Sequence, residues 1–415
     1  MYSITALSML YPKPMAIKAK ILRLVFALVI MPMLAFAGVP LAHAQTEPTR
    51  EACESPAFLI RGLEVEETAS SGDRARRLAT QKAIGKAWEE LINRLVLADQ
   101  NITVLTEVVA SDMLKFTRID SETVLSRRYI ATLDFCFDRE AVRRVFTQHR
   151  IAHAELTSER LLLLPVFVAA SGRANLWREP NPWRAEMLRV LPDHNGLLDL
   201  HIPSGFAFAR SVSAAALLAG DKNTLQRMAR SDDVPMVIVS TASIASNLLS
   251  GPTPFDPNTA NGNGGRGLGS GYEVLVEATL YDQEGNRISN IQSSRLPLAA
   301  DQLDEQFAYL ARDIIGKIEN VWRRANRVDF TDDNLIRLSL TPQSMGEWVA
   351  TLDMLESLPP VEGYQVRQLS ASSGVVDLVL VGSRDAFDYA LGQEGWRLVN
   401  NADGGVGGFV LTPVQ

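Results

Sequence analysis

Hydrophobic and polar residues follow each other along this chain in patterns that predict three successive units of mixed helix and strand. In the first unit, residues 50–155, apolar residues recur every three or four positions over 72–97, which indicates an amphipathic helix. The predicted order is strand, helix, helix, strand, strand and helix, at 57–66, 72–97, 104–116, 118–125, 128–137 and 139–148.

The middle unit, residues 156–328, opens with a continuous apolar run at 161–168, which is typical of a strand buried on both faces. A second such strand is predicted at 235–244. A hairpin is predicted around the turn 282–286, where Gly285 supplies the tight reversal. The remaining elements are helices at 183–191, 206–219, 222–231 and 301–326 and hairpin strands at 272–281 and 287–296. A Gly-rich segment, 248–271, is expected to be a loop between strands.

The third unit, residues 329–415, shows the clearest architectural pattern. Its predicted order is strand, helix, strand, strand, helix, strand, which is the βαββαβ order of ferredoxin-like folds. A last short strand is predicted at 409–412. With about 150 residues per domain, a length of 415 residues agrees with this division. We therefore expect an α+β protein of three small α/β-sandwich modules, the last of them ferredoxin-like.

The first 44 residues have the order of a secretory signal peptide. A basic front precedes an apolar stretch at 24–37, and a small-x-small site at Ala42-His43-Ala44 predicts cleavage between Ala44 and Gln45. The apolar stretch is shorter than the roughly 20 residues that span a bilayer. We expect an exported, periplasmic protein; an uncleaved amino-terminal anchor is the alternative.

The net charge of the chain limits the classes of partner that it can bind. Removing residues 1–44 takes away four positive charges and no negative one, so the net charge of −7 becomes −11. Nucleic-acid binding depends on neutralising phosphates, so no nucleic-acid partner is expected. No second long apolar stretch follows Ala44, which predicts a mature chain without a transmembrane segment. It is expected to be soluble or to associate peripherally with the membrane.

Cys53 and Cys136 are the only two cysteines. Cys53 lies just before one predicted strand and Cys136 lies inside another, and export would place both where disulfides persist. If the two strands are neighbours, the pair can form a bridge; two unpaired buried thiols are the alternative.

Motifs for catalysis and for cofactors are weak. The segment Gly262–Gly267 matches G-x-G-x-x-G but follows prolines and leads into a strand, so it lacks the context of a phosphate-binding loop. His149 and His153 have the spacing of a zinc site but fall where a helix ends, without a catalytic Glu between them. No G-x-S-x-G elbow occurs. We expect no enzyme activity, no cofactor and no metal.

The most unusual local composition is the Trp loop, residues 176–183, in which two tryptophans and two prolines occur within eight residues. A rigid aromatic loop is suited to gripping a partner, and this interpretation assigns the candidate partner surface to Trp177, Arg178, Asn181 and Trp183. The alternative is a loop packed over its own core, with Asn181 capping the following helix.

These residues also carry a resemblance. The Leu163-Leu164-Pro165-Val166 strand, Gly172, Leu176-Trp177 and Asn181-Pro182-Trp183 resemble the hallmark of a proteobacterial family known as domain of unknown function 2066. That resemblance implies an exported envelope protein and supplies no catalytic residues. The middle unit is also loosely similar to the amino-terminal domain of the Tol translocation protein, whose relatives contact other envelope proteins.

The resulting hypothesis is a periplasmic, non-enzymatic binding or scaffold protein whose partner is another envelope protein. Two alternatives stay open at this point. One is a periplasmic carrier of a small apolar ligand, a lipid or a peptidoglycan fragment; the other is a metal-dependent hydrolase that uses the four histidines after Ala44.

Overall fold

The structure is a computed structural model, and it describes residues 53, 55–203, 212–246, 272–293, 295–298, 303–328, 333–370, 373–400 and 408–414. The predicted signal peptide and the Gly-rich segment 248–271 lie outside the described residues. Three separate sheets, each with packed helices, confirm the predicted α+β class.

The first sheet has three antiparallel strands in the order β1-β3-β2, and the long helix α1 packs against it. Ser71 caps α1, and a row of alanines on its buried face allows close packing on β1 and β3. The elements are β1 (Leu59–Thr68), α1 (Gly72–Leu95), β2 (Leu114–Val124), β3 (Arg128–Phe137) and α2 (Arg139–His149).

The helix predicted at 104–116 does not form. Two short 3-10 segments, Thr103–Glu107 and Ala110–Met113, occupy this stretch, and β2 begins at Leu114. The apolar spacing suited a helix, but pairing of β2 with β3 takes the end of the stretch into the sheet. Tertiary pairing outweighs local propensity here.

The middle sheet has seven strands and is covered on both faces. Leu161 and Leu163 of β4 face one core, and Leu162 and Leu164 face a second core on the other side. This explains the unbroken apolar run of β4. The elements are β4 (Arg160–Val168), β5 (Ala174–Asn175), α3 (Pro182–Val190), β6 (Asp199–His201), α4 (Ala214–Leu218), α5 (Lys222–Asp232), β7 (Met236–Ser246), β8 (Tyr272–Asp282), β9 (Arg287–Gln292), β10 (Leu296–Pro297) and α6 (Leu303–Ala325).

The last sheet has the order β12-β13-β11-β15-β14. The predicted βαββαβ order is present, and β12-β13-β11 keeps the ferredoxin-like arrangement. The final strand β15 inserts between β11 and β14 and runs parallel to β11, which moves β14 to the edge. The elements are β11 (Asp333–Leu340), α7 (Met345–Ser357), β12 (Val361–Leu369), β13 (Gly374–Val381), α8 (Arg384–Gln393), β14 (Trp396–Asn400) and β15 (Phe409–Pro413).

Candidate functional site

The Trp loop packs against the core of the middle unit. Trp183 is 0% exposed, its indole Nε1 donates to Oγ of Ser240 at 3.2 Å, and its ring centroid lies 5.9 Å from that of Phe307. The large apolar area that suggested a grip on a partner is therefore used in the protein's own interior. Trp177 is half-buried, and its Nε1 donates to the carbonyl oxygen of Val212 at 3.2 Å.

Asn181 holds this loop in place and is also buried. Its Oδ1 accepts from the Arg184 backbone N–H at 2.9 Å, which caps α3, and its Nδ2 lies within 3.2 Å of the carbonyl oxygens of Leu176 and Pro165. Of the four predicted surface residues, only Arg178 is exposed. The prediction of a partner surface on Asn181 and Trp183 is wrong, because both side chains are satisfied inside the fold.

The predicted cysteine bridge is confirmed: Cys53 and Cys136 form a disulfide, with Cα atoms 5.7 Å apart. Cys136 lies on β3 opposite Leu59 of β1. The bond therefore fastens the segment that precedes β1 to the central strand of the first sheet.

The four histidines after Ala44 lie in different surroundings. His149 is exposed at the end of α2, His153 is buried at the junction of the units, and His201 is half-buried on β6. Over the described residues, no three His, Cys, Asp or Glu side chains come together in a way that could hold a metal ion. The histidine arrangement thus gives the metal-dependent hydrolase alternative no support.

The fourth of these histidines, His194, faces a cleft of about 800 Å³ between the first and middle units. Its Nε2 lies 2.8 Å from Oε1 of Glu319, which also accepts from the Leu198 backbone N–H at 2.9 Å. Burial raises the pKa of Glu319, but the bonds from His194 and from the backbone outweigh burial and lower this pKa below its usual value.

A His–carboxylate pair of this kind can activate a hydroxyl or a thiol nucleophile. The described residues that line this cleft include no serine, threonine, cysteine or tyrosine. Gly196 lies directly beside the pair, and a Cβ at this position would displace the Glu319 carboxylate and the His194 ring. The arrangement is therefore suited to holding the loop that contains Gly196 against α6.

A second buried cluster lies where the three units meet. The Glu155 carboxylate has 0% exposure and accepts from Arg143 Nη2 at 2.8 Å and from Arg139 Nε at 3.2 Å. The Nε2 of His153 lies 2.9 Å from Oε1 of the same carboxylate. Burial raises the pKa of Glu155, yet the nearby Arg143 guanidinium and the hydrogen bond with His153 hold it well below its usual range.

The same arginines reach into the third unit. Arg139 Nη1 donates to the carbonyl oxygen of Ser357 at 2.5 Å, and Arg143 Nη2 donates to that of Pro359 at 3.1 Å. Because both guanidiniums bind Glu155 and these carbonyl oxygens, the cluster works as a joint between units. The sequence offered a weak indication of it, in the Arg139 and Arg143 spacing on α2 and in the His153-x-Glu155 pair.

A cleft of about 840 Å³ opens beside this joint, between α2 and the helical layer of the third unit. Its rim is acidic and includes Asp353, Glu356 and Glu362, all exposed. Both clefts described here are lined largely by charged and polar groups, which suits polar ligands better than the apolar ligand of the carrier alternative.

The third unit presents an apolar strip along β12, an edge strand of its sheet. Tyr364 and Val366 pair with Leu378 and Val376, whose side chains point into the core beneath the helices, so they lie on the helix-facing side while staying exposed. We call this group the edge strip, and it comprises Met345, Val349, Tyr364, Val366 and Leu369. No sequence pattern identified it, because strand order decides which strand is an edge.

Comparison with known proteins gives no family assignment. No protein-family profile matches this chain, and no curated protein matches it. Among the described residues, none of the helices has the length and apolar character needed to cross a membrane. A solved structure of formyltetrahydrofolate deformylase from Burkholderia mallei ATCC 23344 is similar over 64% of this chain and 92% of its own, at 15% identity; its TM-score of 0.17 gives no basis for inferring fold or function.

Proposed function

We propose that this chain is an exported, non-enzymatic binding protein of the cell envelope, and that it holds another envelope protein through the edge strip. The observation that carries the proposal is the outer side of β12. In the described part of the chain this strand pairs with β13 alone, and five large apolar side chains lie exposed on it and on the adjoining α7. Exposed apolar groups beside an unpaired strand edge are typical of protein-binding surfaces.

Export is supported by the order of residues 13–44 and by the Cys53–Cys136 disulfide. Disulfides persist in oxidising compartments such as the periplasm and are rare in the cytosol. An acidic, exported protein with several small units on one chain fits a binding or scaffold role in the envelope.

The chain offers a matched pair of variants to test this proposal. Val366 on β12 is 41% exposed, and Val399 on β14, the opposite edge of the same sheet, is 42% exposed. We would tag the wild type, Val366→Asp and Val399→Asp, cross-link each in its own cells, and identify captured proteins by mass spectrometry. Thermal melts would establish that all three are folded.

We expect one envelope protein to be captured by the wild type and by Val399→Asp and to be lost from Val366→Asp. The same set of captured proteins from all three would contradict the proposal. In that case native mass spectrometry for a co-purifying small molecule and metal analysis would test the carrier and hydrolase alternatives.

A further inference from the structure

The flank of α7 beside the edge strip changes from apolar to acidic along its length. Met345, Val349, Asp353 and Glu356 recur at spacings of four, four and three, which places them on one side of the helix. The first two are exposed and apolar, and the last two are exposed carboxylates.

Strand β12 carries the same gradient. The strand follows α7 through a short turn and runs back along it, so Glu362 at its start lies near the end of α7 that holds Asp353 and Glu356. Val366 and Leu369 lie further along the strand, toward the apolar end of the helix. The edge therefore has an apolar end and an acidic end. We call the three carboxylates at the acidic end, Asp353, Glu356 and Glu362, the acidic trio.

The acidic trio is uncompensated in the described part of the chain, where none of the three carboxylates forms an ion pair. The arginines closest to β12 in the sheet are used elsewhere: Arg367 Nε and Arg337 Nε bind Asp377 at 2.7 and 2.6 Å on the opposite face. Arg139 and Arg143 line the same cleft as the trio, but they bind Glu155. Three exposed carboxylates that form no ion pair attract positive charge, and this attraction both speeds and orients docking.

We infer that the edge strip binds an extended polypeptide segment whose apolar residues cover the strip and whose basic residues lie against the acidic trio. This inference rests on the proposed function and adds the chemistry of the partner. A segment in strand conformation can use the outer N–H and C=O groups of β12, while alternate side chains enter the apolar strip.

The geometry of β12 limits how this segment pairs. Register shifts occur between Val361 and Gly363 and again between Val366 and Gln368, so the regular edge extends over residues 363–366. Bulges of this kind shorten an edge and discourage open-ended pairing between identical chains. A second copy of this chain is also acidic, with a net charge of −7 that becomes −11 once residues 1–44 are removed, and this disfavours its approach to an acidic edge.

The test uses two fluorescent probe peptides of the same length and the same alternating valine–threonine core. One probe begins with two lysines and the other with two glutamates, and binding to the purified protein is followed by fluorescence anisotropy. The variants are Val366→Asp, its control Val399→Asp, and the triple neutral variant Asp353→Asn, Glu356→Gln, Glu362→Gln. Val349→Asp replaces Val366→Asp if the latter does not fold.

We expect the basic probe to bind more tightly than the acidic one and to lose about tenfold in affinity with Val366→Asp, because an apolar contact is removed. The triple variant should also lose about tenfold, and its remaining binding should no longer weaken as salt is raised. Val399→Asp should bind like the wild type.

Equal binding of the two probes, or equal binding by Val366→Asp and the wild type, would overturn the inference. The inference would also be overturned if light scattering showed a dimer that Val366→Asp dissociates. The edge strip would then bind a second copy of this chain. If capture in cells depends on Val366 but the basic probe does not bind, the proposed function stands and the partner chemistry is wrong. If the basic probe binds as expected but capture from cells is the same for every variant, the proposed function fails.

Discussion

His153 and Val328 exchange two backbone hydrogen bonds: the N–H of Val328 donates to the carbonyl oxygen of His153 at 2.8 Å, and the N–H of His153 donates back at 3.4 Å. His153 lies in the segment that leaves the first unit, and Val328 lies in the segment that leaves the middle unit. Trp322 adds a bond from its Nε1 to the carbonyl oxygen of Leu156 at 2.7 Å. The two connecting segments are therefore paired inside the protein and do not act as free linkers.

The buried joint at Glu155 should contribute strongly to stability. Glu155→Gln removes the buried carboxylate that binds both Arg139 and Arg143. The exposed Glu140, 3.8 Å from Arg143, is too well solvated to replace that charge. We expect the free energy of unfolding to fall by about 3 kcal/mol, as measured by urea denaturation. Glu140→Gln on the same helix is the control, since Glu140 is exposed and should change stability by less than about 0.5 kcal/mol. Similar losses from both variants would contradict this account.

Asn181 should matter for folding and not for partner binding. Asn181→Ala removes the cap of α3 and leaves the carbonyl oxygens of Leu176 and Pro165 without their donor. We expect a loss of about 2–3 kcal/mol in the free energy of unfolding. Arg178→Ala in the same loop should be close to neutral, because its side chain is exposed. If Asn181→Ala left the free energy of unfolding unchanged, the hydrogen bonds of Asn181 would not be what holds this loop in place.

The disulfide should stabilise the first unit by restricting its unfolded chain. Cys53 and Cys136 are 83 residues apart in sequence, and closing a loop of that size contributes about 4.5 kcal/mol in the chain-entropy model. Reductant should lower the thermal midpoint of the wild type. The Cys53→Ala, Cys136→Ala variant should have a lower midpoint that reductant does not change further, and a midpoint equal to that of the oxidised wild type would count against the prediction.

Acid should weaken the pairing around Asp377. Hydrogen bonds from Arg337 and then from Arg367 lower the pKa of Asp377 from 3.8 to about 2. A carboxyl group whose pKa is lower in the folded state than in the unfolded state stabilises the fold at pH values above its unfolded-state pKa. For Asp377 this contribution is lost as the pH falls from about 3.8 toward about 2. Asp377→Asn should cost about 1–2 kcal/mol at neutral pH, after allowance for the half-exposed arginines.

The measurement is the difference in thermal midpoint between the wild type and Asp377→Asn at pH 7, 4 and 2.5. Protonation of Asp377 removes from the wild type the same charge–charge stabilisation that Asp377→Asn has already removed. The difference in thermal midpoint should therefore become smaller at the lowest pH. A difference that stays constant across the three values would mean that the charge of Asp377 does not contribute.

The helices and strands that could be predicted are those in which the spacing of apolar residues matches the buried faces of the element. The apolar run of β4 is continuous because helices cover both of its faces, and the spacing in α1 and α6 follows their single packed faces. The turn at Gly285 was also predictable, because its backbone φ of +75° favours glycine.

The edge strip escaped prediction, and the sequence left the Trp loop open between a partner surface and a loop packed over its own core. Both outcomes have one reason: exposure is decided by tertiary packing. Trp183 is a residue type that is common in binding surfaces, but its side chain packs against Phe307 in the core. Val366 belongs to an unremarkable strand pattern, and it is exposed because β12 is the last strand on its side of the sheet. Neither fact is encoded in the local spacing of residues.

The insertion of β15 between β11 and β14 sets an order of events during synthesis. A ribosome makes β14 before β15, yet β15 is the only strand that β14 pairs with in the described part of the sheet. Until residues 409–413 are available, the backbone N–H and C=O groups of β14 lack the strand with which they pair in the finished sheet. The half of the sheet built from β12, β13 and β11 can close earlier, so this unit is expected to fold in two stages as the chain is delivered.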